Sequence, residues 1–207
     1  DWAFSGCESL TQITIPASVT SIGPRVFAGC AKLAAITVAP LNTNYRSPDG
    51  VLFDQTGTAL LVYPEGKTGA YTISEGVTHL ENSTFAGCAK LTGIVIPASV
   101  TSLGERAFAG CAGLTAITIP GGVTNIPSAA FEECANLASV VIPAGVTSIE
   151  GGAFAGCASL TNLLIPSRVT SIADSAFSGC ARLAKITTPG SVTRIETGAF
   201  QNCVNLK

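Results

Sequence analysis

The sequence predicts a repeat solenoid, a single domain spanning residues 1–207 in which short coils stack along one axis and share one interior. Three observations support this. Phenylalanines recur at a spacing of 23 residues, a Cys follows eight of them by three residues, and short alternating apolar segments recur in phase with both. Self-similarity at a fixed period of about 20 to 50 residues is the signature of architectures in which each unit packs on its neighbours.

The Phe–Cys pairs account for all eight cysteines. They are Phe4–Cys7, Phe27–Cys30, Phe85–Cys88, Phe108–Cys111, Phe131–Cys134, Phe154–Cys157, Phe177–Cys180 and Phe200–Cys203. One such unit is too thin to bury its own apolar side chains, and each large side chain contributes roughly 1.5–3 kcal/mol only when neighbours cover it. We therefore expect about eight units of the 23-residue type, with Phe and Cys in interior columns.

Each unit contains two extended segments and a turn. In Ile117-Thr118-Ile119 the alternation predicts a strand with both isoleucines inward and Thr118 outward. Pro120 ends this strand because it cannot donate a ladder hydrogen bond. A second extended piece follows at 123–126, and Ala-Phe-x-x-Cys is expected to close the coil as one tight helical turn of the 3-10 kind.

One unit, at residues 39–70, departs from this pattern. The strands Ile36-Thr37-Val38 and Tyr71-Thr72-Ile73 are 35 residues apart instead of 23. Two apolar runs, at 51–53 and 60–63, flank the turn segment 54–57. Such runs around a Gly-containing turn predict an inserted β-hairpin, which either protrudes or extends the wall of the solenoid.

The pattern Leu-x-x-Ile-x-Ile-Pro-x-x-Val-Thr-x-Ile-x-x-x-Ala-Phe-x-x-Cys resembles the BspA-like, or Treponema pallidum-type, leucine-rich repeats over essentially the whole chain. The resemblance implies a right-handed superhelix with a concave parallel β-sheet and with short strands and 3-10 turns on the convex side. It also implies a surface-associated bacterial or protist protein of the adhesin kind, which binds host matrix or plasma proteins such as fibronectin and fibrinogen and contributes to virulence. It supplies no binding residue.

The candidate partner-binding face consists of the outward residues of the concave strands. They are Thr14, Thr37, Thr72, Val95, Thr118, Val141, Leu164 and Thr187, joined by Asn162 and Lys185. A nearly uncharged, partly apolar row suggests contact with a protein. The alternative is that these positions have no binding role and hold β-branched residues only because such side chains favour strand structure. The hairpin is a second candidate contact, because insertions on repeat scaffolds often carry function.

Composition narrows the partners and the location. Charged residues make up 12% of the chain and the net charge is −2, so the composition gives no sign of the basic surface that binds nucleic acid. Mean hydropathy is +0.47, yet no apolar run approaches the roughly 18 residues of a transmembrane segment. The chain contains no Met and shows no signal segment, so we expect a mature or excised portion of a cell-surface, secreted or periplasmic protein, lacking its capping units.

We expect neither a catalytic site nor a metal site in this chain. A column of parallel thiols does not converge on zinc, so we predict no metal site. The distance of about 5 Å between neighbouring cysteines allows a disulfide, but pairing would distort the coils, which favours a ladder of buried thiols packed beside Phe. His79 is the only histidine and has no nucleophile beside it in the pattern. The sequence therefore predicts no enzyme and no cofactor. The alternative to a binding module is a structural or self-associating envelope protein.

Overall fold

Short strands alternate with turns along the whole chain, because each apolar-polar alternation lasts only a few residues before Pro or Gly interrupts it. The computed structural model describes residues 1–207. In chain order its strands are β1 (Gln12–Ile15), β2 (Ala35–Val38), β3 (Tyr45–Arg46), β4 (Leu52–Asp54), β5 (Ala59–Val62), β6 (Gly69–Thr72), β7 (His79–Leu80), β8 (Leu91–Val95), β9 (Ser102–Leu103), β10 (Ala116–Thr118), β11 (Asn125–Ile126), β12 (Ser139–Val141), β13 (Ser148–Ile149), β14 (Asn162–Leu164), β15 (Ser171–Ile172), β16 (Lys185–Thr187) and β17 (Arg194–Ile195). A 3-10 turn at Pro48–Gly50 is the one helical element. The repeat solenoid is thus confirmed.

The longer strands β1, β2, β6, β8, β10, β12, β14 and β16 form one side of the solenoid. They pair in parallel and two at a time, as β1–β2, β6–β8, β10–β12 and β14–β16. The eight strands therefore do not form one continuous ladder. Pairing is absent between β8 and β10, between β12 and β14, and between β2 and β6, where the variant unit lies. There the segment Ser47–Gly50 lies beside β2, and the Val38 amide donates to Ser47 Oγ at 2.8 Å.

The interior is built from columns of identical side chains. Phe85, Phe108, Phe131, Phe154 and Phe177 are fully buried. From Phe85 to Phe200 successive rings lie 5.1 to 5.5 Å apart and within 7° of parallel. Ile117 and Ile119 are buried too, as the alternation predicts. Each coil therefore supplies one layer of a continuous core.

The cysteines form a second column beside the phenylalanines, and all eight are free thiols. Six are buried, Cys203 is half-buried and Cys7 is exposed. Each buried thiol donates to a carbonyl of the preceding coil; for example, Cys134 Sγ lies 3.1 Å from the Phe108 oxygen. Burial keeps such thiols protonated, raising the pKa of Cys180 to about 12, so they remain hydrogen-bond donors.

The stacked segments that carry Phe and Cys form what we call the turn wall (residues 24–30, 82–88, 105–111, 128–134, 151–157 and 174–180). The sequence predicts one 3-10 turn here, but the structure has consecutive hydrogen-bonded turns without helix. Arg106 (φ 55°) and Gly110 (φ 72°) lie in the left-handed region, which stops a helix from propagating. The turns are joined to each other: the amides of Ser83, Phe85 and Gly87 donate to carbonyls of the next turn, each at 2.8 Å.

The variant unit forms the expected hairpin, with β4 and β5 antiparallel. Of the two placements that the sequence leaves open, the structure shows extension of the wall. Strand β5 pairs in parallel with β7, and Leu52, Phe53 and Leu60 are buried. The hairpin is thus part of the stack and does not project from it.

Candidate functional site

The predicted partner-binding residues lie together on one surface, which we call the strand face. All ten are exposed, namely Thr14, Thr37, Thr72, Val95, Thr118, Val141, Leu164 and Thr187, with Asn162 and Lys185. Strand pairing aligns them in register: Thr14 opposes Thr37, Thr72 opposes Val95, Thr118 opposes Val141 and Leu164 opposes Thr187. Each strand pair therefore holds its two outward side chains next to each other.

An apolar strip occupies the middle of the strand face. Val95, Val141 and Leu164 are 59%, 55% and 69% exposed, which makes them three of the eight large apolar side chains left open to solvent in the whole molecule. Thr118 lies between the two valines in the row, and its neighbour across the strand pair is Val141. Lys185 is the one charged member of the face. Such a surface can bury apolar area but offers little for recognising charge.

A second candidate site, which the sequence interpretation missed, is a cleft of about 830 Å³ beside the variant unit. We call it the notch. It lies between the Phe27 turn (residues 24–30) and the Phe85 turn (residues 82–88), with Leu61, Val62 and Glu65 among its lining residues, and it extends to Glu132 and Glu133. It shares no residue with the strand face.

The notch arises because the variant unit has too short a turn. Tyr63 takes the place of the column phenylalanine, with its ring 5.1 Å from that of Phe85. Only two residues separate Leu60 from Tyr63, whereas four separate Leu80 from Phe85. The turn wall is therefore incomplete at this level. This spacing is the signal in the sequence that could have revealed the notch.

Backbone groups on both sides of the notch lack their usual partners. In the Phe27 turn, the amides of Arg25 and Phe27 have no acceptor in the protein, while the equivalent amides of Ser83 and Phe85 donate to the next turn. In the Phe85 turn, the carbonyls of Asn82 and Ala86 accept no backbone amide, and the Ala86 oxygen has only the Cys88 thiol, at 3.9 Å, as a donor. Backbone amides and carbonyls are usually paired within a folded protein, so two unpaired amides on one side of the notch and two carbonyls without a backbone donor on the other distinguish it from the complete turns.

Glu65 supplies part of the missing wall. Its Oε1 accepts the Gly29 amide at 2.7 Å, which replaces the carbonyl that a regular turn would offer. Burial raises the pKa of the Glu65 carboxyl, and the hydrogen bond from Gly29 partly offsets this. Arg25 crosses the notch, with Nε 3.3 Å from Ser83 Oγ and its guanidinium over the Trp2 ring.

Carboxylates dominate the charge of the notch. Asp54, Glu65, Glu81, Glu132 and Glu133 line it, against two guanidinium groups, those of Arg25 and Arg106. Arg106 is paired with Glu132 in a salt bridge. Neither in the notch nor in the rest of the chain is a group of three or more His, Cys, Asp or Glu side chains placed to hold a metal ion. The chain also contains no helix that is long and apolar enough to cross a membrane.

Comparison with solved structures places this architecture among bacterial leucine-rich repeat proteins. A leucine-rich repeat protein from Eubacterium ventriosum is 28% identical and superposes with a TM-score of 0.79 over 94% of this chain and 59% of its own. A leucine-rich cell surface protein from Faecalibacterium prausnitzii is 33% identical, with a TM-score of 0.62 over 96% of this chain and 47% of its own. The pneumococcal vaccine antigen PcpA, at 24% identity and a TM-score of 0.75 over 90% of this chain and 44% of its own, shares the fold. The chain thus spans roughly half the length of these proteins.

No curated protein matched the sequence. The family model of the BspA type leucine rich repeat region matches residues 1–56 and 78–207 in six copies. The interval that it leaves out, 57–77, contains β5 and the shortened turn of the variant unit. Because the match covers most of the sequence, the chain belongs to the BspA-type leucine-rich repeat family.

Proposed function

We propose that this chain is a protein-binding module that engages a macromolecular partner through the strand face. The observation that carries the proposal is the apolar strip of Val95, Val141 and Leu164, which is exposed on paired strands with almost no charge around it. Burying exposed apolar side chains is the main favourable term in protein association, and a backbone already fixed by strand pairing reduces the entropy lost on binding.

The finer form of the proposal concerns location and partner. We place the chain at a bacterial cell surface, in a secreted protein or in the periplasm, and its partner is a host extracellular-matrix protein to which it adheres. The surface description of the Faecalibacterium protein and the family membership support this location. Lys185 is the only charged residue of the strand face, so we expect the affinity to change little with salt concentration. Binding driven by charge would weaken, because charges are screened beyond about 10 Å at 0.1 M salt. Catalysis forms no part of the proposal.

A saturation binding assay against a panel of matrix and plasma proteins tests the function. Val141→Glu combined with Leu164→Glu places two charges in the apolar strip, and we expect at least a tenfold loss of affinity, about 1.4 kcal/mol. Ile195→Glu is the matched control, because Ile195 is 56% exposed but lies on β17, outside the strand face. An equal loss in the control contradicts the assignment of the site, and the absence of saturable binding to any protein contradicts the function.

The alternative, a self-associating envelope protein, would use the same apolar strip, because two copies can bury it against each other. Sedimentation at increasing concentrations separates the two proposals. A monomer at all concentrations excludes self-association as the function. A dimer that Val141→Glu with Leu164→Glu dissociates, together with no matrix-protein binding, favours it.

A further inference from the structure

The notch is complementary to a peptide backbone. One side presents two amide donors, Arg25 and Phe27, and the other presents two carbonyl acceptors, Asn82 and Ala86. In a complete turn wall, the chain between these turns would satisfy both sides, as the Phe108 turn does for its neighbours. A peptide carries donors and acceptors in alternation, whereas an anion could satisfy the donors alone.

We propose that the notch is a second binding site, which takes a short peptide segment of a protein partner carrying a Lys or Arg side chain. The segment replaces the missing part of the turn wall: its carbonyls accept from Arg25 and Phe27, and its amides donate to Asn82 and Ala86. This site is separate from the strand face and does not depend on the function proposed there.

The charge distribution selects a basic side chain. Of the five carboxylates that line the notch, Glu132 is paired with Arg106, while Glu81 and Glu133 are exposed and make no salt bridge. The Arg25 guanidinium is engaged by Trp2 and Ser83. Leu61 and Val62 are half-buried and offer an apolar surface for the aliphatic part of the bound side chain.

Titration of the ¹⁵N-labelled protein with pools of capped hexapeptides tests this proposal directly. Three pools carry Lys, Gln or Glu at the third position and varied neutral residues elsewhere. We expect the Lys pool to shift the amide resonances of Arg25 and Phe27 in a saturable manner, with the Gln pool weaker and the Glu pool weakest. Equal shifts by the Glu pool, no shift by any pool, or stronger shifts by sodium sulfate would overturn the proposal.

Three variants test where the peptide binds and which charge the site prefers. Ala86 and Ala155 occupy the same position in their turns, but Ala86 lines the notch and Ala155 lies in a complete part of the turn wall. We expect Ala86→Trp to weaken binding of the Lys pool at least tenfold and Ala155→Trp to leave it unchanged. Glu81→Lys combined with Glu133→Lys alters exposed side chains only, and should reverse the preference in favour of the Glu pool. Equal effects of the two Trp variants, or an unchanged preference after charge reversal, would contradict the site.

Discussion

Asn42 is the residue that most clearly distinguishes the variant unit from a regular one. It stands 23 residues after Val19 and takes the position of the inward Val, yet it is 4% exposed. Its Nδ2 donates to the carbonyls of Pro16 and Val19 at 2.8 and 3.0 Å. Its Oδ1 accepts the amides of Asn44 and Tyr45 at 2.8 and 2.9 Å. All four hydrogen-bonding positions of one amide are therefore used, which fixes the departure of the chain into the variant unit.

We expect Asn42→Asp to lower the free energy of unfolding by about 2–4 kcal/mol, because a carboxylate at this buried position keeps the acceptors but cannot donate to the carbonyls of Pro16 and Val19. Urea denaturation at neutral pH measures the loss. Asn44→Asp, at an exposed neighbour, should change stability by less than about 0.5 kcal/mol. If the two variants were equally stable, the amide of Asn42 would not be needed to hold the variant unit.

At the level of secondary-structure elements, the shortened turn after β5 is compensated by a side chain. The Glu65 carboxylate takes the place of a backbone carbonyl for the Gly29 amide, at the cost of being partly desolvated. Gln at this position would keep an oxygen acceptor without carrying a charge. The pH dependence of stability can therefore separate the hydrogen bond from the buried charge.

The pKa of Glu65 is raised in the folded protein above its ordinary value of 4.5, so the folded chain holds this proton at a pH where the unfolded chain has lost it. The stabilisation is complete below 4.5 and is lost as pH rises through the folded pKa. We expect wild type to lose stability relative to Glu65→Gln between acidic and neutral pH. Denaturation curves at several pH values measure the difference, and Glu75→Gln, at an exposed position, should track wild type. A pH-independent difference between wild type and Glu65→Gln would show that burial of the charge has no effect.

Over the whole molecule, the variant unit divides the core. A small cluster contains Ile15, Val26, Phe27, Cys30, Leu33, Ile36 and Leu52. The larger cluster of 39 buried residues begins at Val51 and continues to Ala199. Leu52 packs with the first cluster while Val51 and Phe53 pack with the second, so the two clusters meet at residues 51–53. Because the stability of a solenoid is nearly a sum over neighbouring units, we expect this division of the core to weaken the coupling between the two parts.

We predict that the first two coils open by themselves, without unfolding of the rest. The amides of Ala34 and Ala138 occupy equivalent positions and donate to Thr carbonyls of the preceding coil at 2.8 and 2.9 Å. Hydrogen exchange at the Ala34 amide should be at least tenfold faster than at the Ala138 amide, which corresponds to a free energy of opening about 1.4 kcal/mol lower. The reason is that opening the first two coils disrupts only the smaller core cluster. Equal protection of the two amides would indicate that the solenoid unfolds as one cooperative unit.

The sequence by itself determined the period, the inward and outward residues of the strands, the Phe and Cys columns and the hairpin. Each of these follows from a local pattern that is repeated, and repetition makes a weak local signal unambiguous. Ile117, Thr118 and Phe131 could be placed in this way. The exposure of the strand face also follows from alternation along each strand.

Only the tertiary structure decided how the variant unit meets its neighbours. The loss of pairing between β2 and β6 accompanies the segment Ser47–Gly50, which lies beside β2. The notch and the substitution of Glu65 for a backbone carbonyl depend on a turn two residues too short, stacked between turns of full length. The difference in turn length can be read from the sequence, because two residues separate Leu60 from Tyr63 and four separate Leu80 from Phe85. Which amides and carbonyls lose their partners is a property of the stack, because each partner lies in another coil.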